Sequence, residues 1–296
     1  MTGIICLDKP RDMSSFMAVK RASRLLGVKK AGHTGTLDPM ATGVLVIMLG
    51  HCTRFIELLP EHRKSYTARV KLGLTTDTLD ITGEVLSTSD VNVTQEQLLS
   101  VCEQFKGEIF QTPPMYSALK KDGERLYDLA RKGIDIPREQ RKITIEKLEI
   151  CDFNGTEFSM DVTCSAGTYI RSLCDDIGRV LGCGAVMTEL RRTEANGFSI
   201  ENSVTLEELE KLVSENKAES VITSVEESLM SYPEITVTKP QANRFRNGGA
   251  LGFERLHGDF SVGIYRVYSP DNELLGLGEI KTEKGDLEIR RVLVNE

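Results

Sequence analysis

Residues 64–73, KSYTARVKLG, alternate without a break: Tyr66, Ala68, Val70 and Leu72 fall on one side, Thr67, Arg69 and Lys71 on the other. Only an extended strand sends successive side chains to opposite faces, so this stretch demands a sheet with one face on a core and one in water. Tyr66 is predicted to point inward with the apolar set. GVLVIMLG, by contrast, is apolar throughout between two glycines and reads as a strand buried on both faces. Its run from Val44 to Leu49 is far too short to span a bilayer.

Helices separate these strands. SSFMAVKRASRLLG is a helix capped by Ser14 or Ser15, with Phe16, Val19, Leu25 and Leu26 near one face. TQEQLLSVCEQFKG opens on a capping box, Thr94 with Gln97 three residues on. GTYIRSLCDDIGRVLGCG carries Ile170, Leu173, Cys174, Ile177, Val180 and Leu181 at helical spacing, and TLEELEKLVSENKAES is an acidic helical stretch. Between them, residues 111–142 are rich in Pro, Gly and charge, with 8 basic against 5 acidic residues. They read as a protruding insert with one short helix. From about Tyr232 the chain turns to short strands and glycine turns, a separate small β-rich domain.

At 296 residues and 40% hydrophobic, the chain can bury a large core. Its seven cysteines are scattered without a C-x-x-C pair and read as reduced core thiols, and its four histidines show no zinc spacing. The N-terminus lacks the basic start and long apolar run of a signal peptide, so a cytoplasmic protein is expected. Net charge is −7, but residues 1–80 carry 12 Lys and Arg against 7 Asp and Glu. A polyanion responds to the local patch, so nucleic acid stays allowed.

One acid stands out. In GHTGTLDPMATGVL, residues 32–45, Asp38 is alone among glycines and threonines, with Pro39 after it. No Lys follows Gly43, which rules out a P-loop, and the lack of further acids nearby argues against a local metal site. What is left is either a plain Asp-Pro turn or a nucleophile or base on a loop that a substrate can approach closely. A working carboxylate needs a cationic partner. Arg171 is the candidate, though Asp175 one helical turn on competes for it.

GHTGTLDPMATGVLVIMLG resembles the catalytic signature of the TruB family of pseudouridine synthases. DKPRDMSS, KSYTARVKLGLTTDTLDITGEV, QTPPMYSALKKDGERLYDLARKG, GTYIRSLCDDIG and LRRTEANGF resemble further blocks of that family, in its order, over roughly residues 3–200. The segment from Tyr232 is similar to a PUA domain, an RNA-binding module. The resemblance implies an α+β fold, a mixed and largely antiparallel sheet with flanking helices, carried on residues 1–231. A PUA-like domain would follow over 232–296.

It also implies an activity: a uridine in the T arm of tRNA, position 55, becomes pseudouridine. The N1–C1′ bond breaks, the uracil turns, and C5 bonds to C1′, with no cofactor and no metal. By motif, Asp38 would be the nucleophile; attack at C1′, attack at C6 and assisted elimination to a glycal all fit that position. Arg171 would hold it ionised, and Tyr66 would stack on the base and move a proton at C5. His33 would displace or stack within the loop, Tyr169 and Leu190 would line the pocket, and Lys9 and Pro10 would support the catalytic loop. Asp80 would contact the remodelled T loop, and residues 111–142 would form the family's thumb loop. The partner implied is the T-arm stem-loop alone, with a monomer, no obligatory protein and no membrane. Two other readings share much of this chemistry: the catalytic subunit of a guide-RNA-dependent particle, and an RNA-binding or tRNA-folding protein.

Overall fold

The computed structural model of the chain describes residues 1–293, so the last three positions of the expected second domain lie outside the described residues. The Lys64–Leu72 strand lies inside a large sheet whose order is Gly3–Lys9, Thr42–Leu49, Ala185–Ala195, Lys64–Leu72, Glu157–Cys164, Arg141–Phe153 and Gly107–Gln111. Every pairing along this path is antiparallel except one: Thr42–Leu49 runs parallel to Ala185–Ala195, with Arg191 opposite Thr42 and Arg192 opposite Gly43. The fold is therefore α+β on a mixed, largely antiparallel sheet, as the sequence led us to expect.

The alternation of residues 64–72 is realised. Tyr66, Ala68, Val70 and Leu72 are buried while Thr67, Arg69 and Lys71 are exposed. The buried set packs beneath Leu173, Cys174 and Ile177 of the Ile170–Leu181 helix and Leu98 of the Gln95–Glu103 helix. The latter opens on the capping box of Thr94 and Gln97. The two neighbouring strands are covered twice. Ile4, Cys6, Val44 and Val46 face a core around Phe55, and Ile5, Leu7, Leu45 and Ile47 face Ala18, Ala22 and Leu209. Burial on both faces is why Val44–Leu49 carries no polar residue.

The first helix, Ser15–Leu25, corrects one expectation. Ser14 is the cap, accepting from the Met17 amide at 3.2 Å. The buried stripe is Ser15, Ala18, Val19 and Ala22, and Phe16 is 70% exposed. Ser15 Oγ bonds both the N–H and the C=O of Leu37, at 2.8 and 2.9 Å, which fixes the small-residue stripe against the sheet. Phe16, about 100° further round the helix, is thereby turned to water. Val180 is likewise exposed, at the outer edge of its helix.

Residues 111–142 grow out of two adjacent antiparallel strands, Arg141 standing opposite Gln111. The excursion holds a two-residue strand pair, Lys120–Lys121 with Glu124–Arg125, and the short Leu126–Arg131 helix, of which only Leu126 is buried. The chain ends in a four-stranded sheet: Glu234–Thr236, Gly263–Tyr268, Leu274–Ile280 and Leu287–Val292. It has its own core around Phe245, Val267 and Leu287. Tyr268, Leu274 and Leu277 join the large sheet's core beside Phe55, and the Tyr268 hydroxyl donates to Glu226 at 2.8 Å. No helix among the described residues is long and apolar enough to cross a membrane.

Gly43 marks the point where the Asp38 loop enters the sheet. Its φ is +99°, and a Cβ there would lie 2.1 Å from the carbonyl oxygen of Arg192. Gly43→Ala is expected to lower stability by about 3 kcal/mol or more, since both the left-handed backbone and the backbone contact oppose it. Thermal denaturation reads this directly, and an unchanged midpoint would contradict the close approach.

Candidate active site

Asp38 lies between the short Ala31–His33 strand and Thr42–Leu49. Three side chains fix its loop. Ser15 grips the Leu37 backbone. Lys9, wholly buried, sends its ammonium to the carbonyls of Pro39 at 3.2 Å, Pro10 at 2.8 Å and Met13 at 2.7 Å. Arg192, 1% exposed, donates to Val44 O at 2.7 Å, Gly35 O at 3.1 Å and Thr36 O at 3.4 Å. A glycine-rich loop has little stiffness of its own, so these donors, which also satisfy buried carbonyls, hold it in place.

The Asp38 carboxylate accepts the Nε–H of Arg171 at 2.9 Å. Arg171 thus reaches across the fold to Asp38 and not along its helix to Asp175, which faces a separate hollow with Asp176 and Arg179. Its remaining donors are also engaged: Nη1 with Thr78 O at 2.9 Å and Nη2 with Tyr116 O at 2.8 Å, while Asp80 Oδ2 is 3.8 Å away. The guanidinium is 6% exposed and the Asp38 side chain 35%, so the carboxylate faces open space and the cation stands behind it. Burial pushes the Asp38 carboxyl above its ordinary value of 3.8. Arg171 is the strongest opposing influence, Asp80 adds to the rise, and Lys9 subtracts from it.

In front of Asp38 is a cavity of about 290 Å³ lined by Lys64, Tyr66, Tyr169, Arg171 and Leu190. Tyr66 and Leu190 are there because their strands are neighbours, with Leu190 opposite Ala68 and Arg192 opposite Tyr66. Burial raises the Tyr66 phenol above 10.0, with the Arg192 guanidinium pulling the other way. Tyr169 is held by its backbone: its N–H donates to Gln111 Oε1 at 2.8 Å and its carbonyl accepts from Gln111 Nε2 at 3.1 Å. The cavity roof is Ser117, Ala118 and Leu119 of the 111–142 excursion.

Four of the sequence candidates, Lys9, Pro10, His33 and Asp80, stand outside this cavity. Asp80 is 4% exposed, and its Oδ1 accepts from Thr78 Oγ1 at 2.9 Å, Thr82 N at 3.0 Å and Thr82 Oγ1 at 2.5 Å. It shapes the turn whose Thr78 carbonyl meets Arg171 and shows almost no surface to solvent. Burial presses the His33 imidazole below its ordinary 6.5, with the Arg192 and Lys64 charges adding to the fall. Its Nδ1 is buried without a partner among the described residues. Pro10 contributes its carbonyl to Lys9.

Sequence reasoning passed over Arg192, Lys64 and Gln111. A usable signal existed for the first two: Arg192 shares the inward register of Leu190 and Ala195's strand, and Lys64 that of Tyr66, two residues on. A charge at an inward strand position needs a partner or a task. Among the described residues no three His, Cys, Asp or Glu side chains are grouped to hold a metal ion.

Comparison with known proteins shows the family. The crystal structure of a Cbf5-Nop10-Gar1 complex superposes with a TM-score of 0.76 at 27% identity, covering 98% of this chain and 84% of that one. A structure of H/ACA RNP bound to a substrate RNA containing 2'-deoxyuridine gives 0.74 at 26%, covering 99% and 85%. Residues 23–170 match the TruB family pseudouridylate synthase N-terminal domain, residues 171–230 the tRNA pseudouridylate synthase B C-terminal domain, and residues 233–293 the C-terminal domain of pseudouridine synthase II TruB. The tRNA pseudouridine synthase B of Clostridium tetani is 45% identical over 287 residues, 96% of this chain and 97% of its own. That of Chromobacterium violaceum is 42% identical over 295 residues, 99% and 95%. Fold and relatives together are those of a pseudouridine synthase, an isomerase. The chain belongs to the TruB family.

Proposed function

We propose that this chain isomerises a uridine in the T loop of tRNA, position 55, to pseudouridine, with Asp38 as nucleophile and without guide RNA, cofactor or obligatory protein partner. The observation that carries this reading is the Arg171–Asp38 contact of 2.9 Å facing a cavity that also holds Tyr66. The cavity is of nucleobase scale and concave, so the target must leave its stack to enter. Base flipping costs a few kcal/mol, recovered by stacking and hydrogen bonding in the pocket. Tyr66 supplies the stacking face and the proton transfer at C5; Tyr169 and Leu190 form the walls. Lys9 and Pro10 keep the Asp38 loop in place, and His33 and Asp80 act on the T loop once the RNA has reshaped its surroundings.

Residues 111–142 close over the nucleotide, and the basic character of residues 1–80 meets the phosphates. The division into a catalytic part, 1–231, and an RNA-binding part from 232 belongs to the same reading, supported by the separate sheet and core of the latter. So do a monomer and a cytoplasmic site of action, where tRNA is processed. The greater identity to relatives named tRNA pseudouridine synthase B than to the Cbf5 complexes favours bare tRNA over a guided substrate.

The test is an unmodified tRNA transcript tritiated at C5 of its uridines, incubated with the protein alone and with chelator. C5 loses its hydrogen when it becomes the glycosidic carbon, so release of one equivalent per tRNA is the expected result. Changing the T-loop uridine should abolish it. Tight binding without release would leave an RNA-binding protein or a subunit awaiting a guide.

A further inference from the structure

We propose that Lys64 is a further catalytic residue, the counter-charge for the uracil ring while its bond to C1′ is broken. This rests on the isomerase reading above and adds to it a group that reading leaves without a task. Every route open to Asp38 puts negative charge on the pyrimidine. When N1–C1′ breaks, the electron pair stays with uracil, spread over N1, O2 and O4; when a nucleophile adds at C6, the charge appears at O4. Closure of C5 on C1′ uses that pair for the new bond, and the C5 hydrogen leaves as a proton. Nothing is oxidised, and no co-reactant is consumed. A developing anion in a small, walled cavity needs a preorganised cation.

Two cations line the cavity, Arg171 and Lys64. Arg171 is committed to Asp38, Thr78 O and Tyr116 O. Lys64 is not committed. Among the described residues its ammonium makes no ion pair and no side-chain hydrogen bond, and no carboxylate is among the groups that chiefly act on it. It is placed by the strand: Lys64 and Tyr66 are two residues apart and share a face, about 7 Å along the chain. A base stacked on Tyr66 therefore brings its edge within reach of Lys64. On the other side, a Cβ at Gly35 would lie 3.0 Å from Lys64 Nζ, so the ammonium rests on the Asp38 loop itself. A half-buried cation without a counter-ion is costly to maintain unless a ligand supplies the charge.

The surroundings also make the idea readable by pH. Burial and Arg192 press the Lys64 ammonium below 10.5. Of the other groups around it, burial holds Tyr66 and Tyr169 above 10.0 and pushes Cys164 up to about 11, while His33 falls below 6.5. Behind the Asp38 loop, burial pushes the Lys9 ammonium down to about 8, so it titrates in the same alkaline range. Only an alkaline limb that is present in wild type and altered in Lys64→Arg is thus assigned to Lys64.

The experiment measures single-turnover pseudouridine formation and tRNA affinity across pH for wild type, Lys64→Met and Lys64→Arg, with folding checked by thermal denaturation. Lys64→Met is expected to slow the step about 100-fold with Kd changed less than twofold. Lys64→Arg should recover part of the rate over Lys64→Met and lose the part of the alkaline limb that Lys64 sets, because a guanidinium does not deprotonate. Weaker binding, a shallower salt dependence and an unchanged rate in Lys64→Met would make Lys64 a phosphate anchor and overturn the proposal. So would a full wild-type rate at unchanged affinity, while leaving the isomerase reading intact. A wild-type enzyme that forms no pseudouridine would bring down that reading first. Should Lys64→Met not fold, Lys64→Gln takes its place, and a full wild-type rate in that variant is the overturning result.

Discussion

Asp38→Asn should form no pseudouridine, a loss of at least about four orders of magnitude in single-turnover rate, the scale on which a missing nucleophile is felt. It should still fold and bind tRNA. The donors that hold the loop come from Ser15, Lys9 and Arg192, and none of them touches the carboxylate. An asparagine oxygen can still accept from Arg171 Nε, whose other donors keep Thr78 O and Tyr116 O. The fold should even gain. A carboxyl raised above 3.8 holds its proton more tightly folded than unfolded, so its ionisation subtracts stability as pH rises past 3.8. Asn carries no such penalty. The variant should therefore melt at or above the wild-type temperature at neutral pH, with the difference shrinking as pH falls toward 3.8. Tritium release within tenfold of wild type would remove Asp38 from the chemistry.

Arg171→Met should damage both stability and rate. It leaves Asp80 buried and two carbonyls without their donor, a loss of about 3 kcal/mol, the lower end for a broken buried pair because Asp38 is partly open to water. Turnover should fall about a thousandfold as Asp38 loses its aim and its strongest charge stabilisation. Arg171→Lys keeps the charge but cannot span the same acceptors, so an intermediate rate is expected. The pH profile separates charge from geometry. Asp38 must be ionised to act, so the acid limb of kcat/KM lies above 3.8 in wild type. Weakening the group that pulls its pKa down moves that limb to higher pH. A profile of Arg171→Lys that overlays wild type would uncouple the pair.

What could be read from the residues was whatever repeats at a fixed period or recurs as a block. Tyr66 was placed inward by alternation alone, and the capping box at Thr94 needed only two residues three apart. Asp38 was conspicuous as a single charge among small residues. Its partner was not, because helical geometry offered Asp175 as readily, and only the fold of the Thr78 and Tyr116 segments around the guanidinium decides between them. Phe16 was misplaced for a similar reason: an apolar count favours it, whereas the bond from Ser15 to Leu37 sets the helix's rotation. Lys9 reaches the Pro39 carbonyl thirty positions away and Arg192 the Val44 carbonyl 148 away, and no local pattern announces such acceptors.

The single parallel step in the large sheet has a further consequence. Thr42–Leu49 and Ala185–Ala195 share a ladder only two residues deep, and beyond it the Arg192 side chain, not a facing strand, answers the carbonyls of Val44, Gly35 and Thr36. The sheet is in effect two antiparallel fabrics joined along a fault line, with Asp38 on the lip of one and Tyr66 woven into the other. Where the ladder is this short, two adjacent arginines rivet the lips: Arg192 on the loop carbonyls and Arg191 on Asp8 at 2.7 Å and Thr42 at 3.3 Å, so the gap between the Asp38 loop and Tyr66 is set by side chains.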